Sequence, residues 1–227
     1  MRFFRTLLGL LLIPAAAGTA GAFLSQISGI GLFSGTLRLF ERGALVYAFL
    51  HLMVMRPVYL YVLGHELVHV LAAWLCGGRV VAFNVKPSGG NVVTSKTNPF
   101  IELSPYFVPL YTILLGPVFW VMRVTGYRPE YMPELFVFLV GLTLAFHFIM
   151  TSEVLRMEQP DVARSGLIFS FVLIFLGNLI VIAAVFSPIF DQITFTGFIK
   201  EAYASSADLY IRIWEESVEF VNKNRFW

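Results

Sequence analysis

Between Arg164 and Asp191 the chain runs for twenty-six residues without a charged side chain, and similar apolar runs recur along it. About 20 such residues in a helix cross the ~30 Å hydrocarbon core of a bilayer. In lipid the backbone must satisfy its own hydrogen bonds, which a helix does within one segment. The runs therefore predict an all-α polytopic membrane protein. Composition agrees: of 227 residues 58% are hydrophobic and 13% charged, with a mean hydropathy of +0.77. This leaves one membrane domain and no room for a large soluble one. A formal net charge of +2 is too small to suggest a nucleic-acid partner. The single cysteine, Cys76, excludes an intrachain disulfide and a cysteine-rich metal site.

Residues 1–33 have two readings. One is a first transmembrane helix with Arg2 and Arg5 at its cytoplasmic end; the other is a cleaved signal peptide, with small residues over 15–22. Apolar character continues through Phe23, Leu24 and Ile27, which favours a retained helix. Gly43–Cys76 is expected as one long helix kinked near Pro57, since Arg56-Pro57 leaves no stretch long enough to reverse the chain. Gly77-Gly78 ends it. Residues 79–96 read as a small β-hairpin, two β-branched runs around the turn Pro87-Ser88-Gly89-Gly90. Phe100–Val124, Glu134–Leu155 and Ala163–Phe186 are further spans, giving about five within residues 1–187. In the tail, 188–227, Ile199, Tyr203, Ala207, Tyr210, Trp214, Val218 and Val221 recur at steps of three or four. That is an amphipathic helix for the membrane surface or the bundle. The N-terminus, the hairpin and the Arg156–Arg164 loop then share one side. Its basic residues favour the cytoplasmic face of a cell inner or plasma membrane.

Inside the span after Pro57 stands Gly64-His65-Glu66-Leu67-Val68-His69. Residues four apart share a helix face, so His65 and His69 can bind one zinc ion, and Glu66 can reach a water held there as general base. Ionisable groups are expensive in lipid, which makes them functional candidates by default. The competing reading is a polar cluster that only joins helices.

Catalytic zinc usually takes three protein ligands. His147 lies eight residues before Leu155, and His65 and His69 lie eleven and seven before Cys76, so the three share a depth. Asp161 lies at the membrane edge and reaches the site only if Gln159-Pro160-Asp161 folds back between helices. Its plain alternative is a helix N-cap. Glu153 and Glu158 are weaker candidates, and His51 is almost four turns from His65, too far to share its metal. Asn178 is a candidate oxyanion donor, and Gly89 and Gly90 are candidate substrate contacts in a hairpin whose edge can pair with an extended segment.

The chain resembles the site-2 protease family of intramembrane metalloproteases. The residues that carry the likeness are Gly64 to His69, Gly77-Gly78-Arg79-Val80, the glycine-bearing hairpin and Leu115-Gly116-Pro117, covering about residues 57–125. The resemblance implies zinc on His65 and His69, Glu66 as base, and an aspartate as third ligand in a later segment. The family's Leu-Asp-Gly is missing here, and Gln159-Pro160-Asp161 is its nearest analogue. By resemblance the third ligand is Asp161; by depth it is His147. The implied activity is a zinc endopeptidase cutting transmembrane segments of membrane proteins, as in regulated intramembrane proteolysis. The alternatives are a noncatalytic relative that binds or regulates a membrane partner, and a small transporter using His65, Glu66 and His147 as a relay.

Overall fold

The computed structural model describes residues 2–32, 34–86 and 88–224, the side chain of Arg2 excepted. Met1, Phe33, Pro87 of the expected turn and tail residues 225–227 lie outside the described residues. The helices in chain order are α1 (Arg2–Leu11), α2 (Ile13–Ser28), α3 (Gly35–Met53), α4 (Val58–Leu75), α5 (Pro99–Leu103), α6 (Leu110–Val124), α7 (Met132–Leu155), α8 (Pro160–Ser165), α9 (Leu167–Phe186) and α10 (Phe195–Lys223). Strands β1 (Val80–Lys86) and β2 (Gly89–Thr94) lie between α4 and α5. Four helical stretches among the described residues are long and apolar enough to cross a membrane: Phe3–Ser28, α4, α7 and α9. Pro99–Tyr106 and α6, bent by 77°, make a fifth if taken as one span. The protein is thus an all-α multi-pass membrane protein with one small hairpin.

Two compact units divide the chain, Met1–Ile30 with Gly166–Trp227, and Gly31–Ser165. In the first, α10 runs antiparallel to α2. Phe198 meets Phe23 edge to face at 6.2 Å, the Ser206 hydroxyl donates to the Ala15 carbonyl at 3.2 Å, and the Tyr210 hydroxyl donates to the Leu11 carbonyl. Phe198 and Ala202 join Ala22, Leu179 and Ala183 in a buried cluster. The face packed on α2 thus runs through Phe198, Ala202, Ser206 and Tyr210, and of the expected stripe Ile199, Tyr203, Trp214 and Val221 stay exposed. Small residues decide this, because Ser206 abuts Gly18 where a larger pair would hold the backbones apart.

In the second unit α3 runs parallel to α7. Gly43 lies against the Phe138 carbonyl and Gly141 against that of Phe40, so the backbones touch at the crossing. At the helix ends His51 is buried, with Nε2 3.1 Å from Glu153 and Nδ1 3.2 Å from the Tyr47 hydroxyl, and Arg56 stands 3.3 Å from the same Glu153. Gly141→Leu is expected to force α3 and α7 apart and to lower stability by about 1–3 kcal/mol. Unfolding in detergent, compared with the parent protein, checks this.

The expected long helix through Pro57 is two helices. Helical geometry is lost over 54–57, and Tyr47 and Tyr61 both pack edge-on to Phe146, at 5.3 and 6.3 Å between ring centroids. One continuous helix would separate residues 47 and 61 by about 21 Å, so the chain bends back at the break. The span expected over Phe100–Val124 is also broken: α5 passes into a 3-10 turn, Ser104–Tyr106, before α6 starts. Pro105 and Pro109 remove the donors a continuous helix needs. The span expected from Ala163 starts at Leu167, after α8 and Gly166. In the hairpin Gly89 pairs with Lys86 and Gly90 with Val85, so both glycines belong to β2 and not to the turn.

Candidate metal centre

Helix α4 presents His65 and His69 one turn apart, with ring centroids 4.9 Å from each other. Asp161 comes to them from α8. Its Oδ2 stands 4.0 Å from His65 Nε2 and 3.5 Å from His69 Nε2, and one donor atom of each residue lies within 4.8 Å of the other two. Donors ~2.1 Å from a tetrahedral zinc stand about 3.4 Å apart. The two nitrogens and the carboxylate oxygen therefore suit such an ion after small side-chain rotations. Side-chain exposures of 11%, 13% and 21% leave the three donors reachable from outside the packed core.

Asp161 reaches the site because α7 stops short. Gln159 closes the turn by donating to the Val154 carbonyl at 3.0 Å, and Pro160 opens α8, putting Asp161 in that helix's first turn and not at its N-cap. Burial works to raise the Asp161 carboxyl, but the His65 and His69 imidazoles outweigh it and hold the group well below the usual carboxylate range. The Tyr106 hydroxyl donates to Oδ2 at 3.4 Å, and its ring meets His65 edge-on at 5.1 Å.

The short helix α5 serves both sides of this constellation. Asn98 caps it, accepting from the Ile101 N–H at 2.9 Å. The Ile101 carbonyl accepts from His69 Nδ1 at 2.7 Å, which turns His69 Nε2 toward Asp161. The next residue, Glu102, is buried and accepts from Ser165 of α8 at 2.5 Å and from Thr97 at 3.1 Å. One turn of helix thus orients a nitrogen donor and anchors the element bearing the oxygen donor.

Glu66 points inward beside these groups, within electrostatic reach of His69 and Asp161. Its carboxyl end lies directly against Gly90, where a Cβ would overlap it. β2 thus passes so close over Glu66 that any side chain at Gly90 would have to displace the carboxyl end. A Cβ on Gly89 would meet open space, and its φ of +140° is what favours glycine at this first position of β2.

His147 is not among the grouped donors. It is buried and shares with His65 a recess that also takes in Tyr61, Thr143 and Phe146, to which neither His69 nor Asp161 contributes. Glu153 is engaged by His51 and Arg56. Asn178 belongs to the first unit, and its amide donates to the Ile174 carbonyl one turn back on α9. Tyr106, Ile101, Glu102 and Ser165 were not among the expected site residues. The signal for them was the pair Pro105 and Pro109 inside a supposed span. The chain matches no protein-family profile, no curated protein and no solved structure.

Proposed function

We propose that this chain is an intramembrane zinc endopeptidase of the kind the site-2 protease resemblance implies. The observation that carries the reading is the meeting of His65, His69 and Asp161 around one point, with the Glu66 carboxyl beside it. The three donors would hold the metal. Zinc, when bound, supplies a Lewis acid and brings the pKa of a coordinated water to ~7. Glu66 takes the proton of the attacking water and returns it to the leaving amine. Ile101 fixes the tautomer of His69, and Tyr106 holds Asp161.

The substrate is a transmembrane helix of another protein. A helix keeps its carbonyls in hydrogen bonds, so a cut requires an extended segment. Among the described residues the hairpin pairs with no third strand, and an extended segment added beside β2 would lie next to the strand that covers Glu66. The basic residues Arg79, Lys86, Lys96, Arg156 and Arg164 favour the hairpin side as cytoplasmic, in a cell inner or plasma membrane.

Purified protein in proteoliposomes, given a labelled transmembrane substrate, is expected to cut it with one zinc per chain. A chelator stops the reaction and added zinc restores it. Absence of stoichiometric zinc, with His65→Ala harmless to function, turns the reading toward a noncatalytic holder of a membrane partner. Gly90→Ala is a finer test. The new methyl meets the movable end of Glu66, so the base is displaced while the zinc stays. Cleavage is expected to fall by about 10²-fold at unchanged zinc content.

A further inference from the structure

We propose that His147 is a positioning residue for His65, joined to it by a single buried water. The inference rests on the metal-site reading above. Among the described residues two buried ring nitrogens lack a hydrogen-bond partner, His65 Nδ1 and His147 Nε2. Both rings line the same recess.

Their hydrogen-bonding states are complementary. The atom of His65 turned to Asp161 is Nε2, so with that nitrogen as metal donor the ring proton sits on Nδ1. Nδ1–H is then a buried donor with nothing to receive it. His147 gives its own proton to the Tyr106 carbonyl through the other nitrogen, which leaves Nε2 as a bare acceptor. A donor and an acceptor on two rings that line one recess, neither with a partner, are satisfied together by a water accepting from His65 and donating to His147.

The pairing also removes an asymmetry. Metal-bound histidines almost always donate their second N–H to a fixed group. His69 does so directly, to the Ile101 carbonyl. His65 has no such carbonyl, and His147 through the water fills that place. The shared depth of His65 and His147 in the sequence thus reports an outer contact to a ligand and not a ligand.

The test is metal affinity, with cobalt as a spectroscopic probe. His147→Phe keeps the ring volume and removes the acceptor. It is expected to weaken zinc binding by about 10–100-fold and to shift the visible bands of the cobalt form, at unchanged unfolding of the metal-free protein. His147→Gln restores an acceptor and is expected to recover most of the affinity. Wild-type protein that binds zinc, with His147→Phe equal to it in affinity and cobalt spectrum, overturns this proposal alone. Loss as complete as in His65→Ala, unrescued by glutamine, also overturns it, since that makes His147 a direct ligand. Wild-type protein that binds no zinc overturns the metal reading and this inference with it.

Discussion

Exchanging Glu66 for glutamine is expected to stop peptide cleavage while leaving one zinc on every chain. Glutamine keeps the length and nearly the shape of the side chain, so Gly90 still closes over it without strain. It cannot take a proton. A positioned general base contributes ~10²–10⁴-fold, and a loss of that size is the expected reading in a single-turnover assay. Zinc content measured on the same sample separates this from metal loss, because the proposed donors are His65, His69 and Asp161. Cleavage by the variant at the parent rate would eliminate the mechanism, whatever its metal content.

The second large effect concerns Asp161. Removal of its carboxylate by Asp161→Ala leaves two imidazoles on α4 and no anionic donor within the grouped set. Zinc affinity is expected to fall by more than ~100-fold, beyond what the loss of an outer-shell partner costs. Asp161→Asn should fall nearly as far, since an amide oxygen carries no charge to offset the ion. Competition against a calibrated chelator measures both. The comparison with His147→Phe decides between the two candidates for third donor. An Asp161→Ala protein that holds zinc as tightly as its parent would pass the third-ligand role to His147, and tight binding kept by both variants would end the hydrolase reading.

What the sequence could disclose followed from regular geometry. His65 and His69 share a face because four residues make about one helical turn, and no tertiary information is needed to see it. The apolar runs disclosed the spans for a similar reason. Asp161 was different. Counting depth along straight helices put it at the membrane edge, and that count held only to the end of α7. Gln159 and Pro160 then turn the chain back, and the buried Glu102–Ser165 bond, sixty-three residues apart in sequence, fixes where it goes. No periodicity encodes a contact of that kind. The roles of Ile101 and Tyr106 were hidden because their stretch read as an ordinary span, although Pro105 and Pro109 marked it as irregular. At Pro57 the sequence alone suggests a kink, whereas the packing of both Tyr47 and Tyr61 on Phe146 requires a break. The hairpin glycines were assigned to the turn by composition. Both lie in β2, and only the carboxyl group beneath Gly90 explains a glycine at that strand position.

The bend between Ser104 and Leu110 has a bearing on supply. Hydrolysis consumes one molecule of solvent for each bond cut, and an oily slab delivers almost none. A straight helix from Phe100 to Val124 would present a sealed wall to the His65 ring. The detour at Pro105 and Pro109 instead hollows that wall, and the hollow borders His65 itself. The irregular turn thus leaves room for water beside one of the paired histidines, and hydration there becomes a property of backbone course as much as of polar side chains.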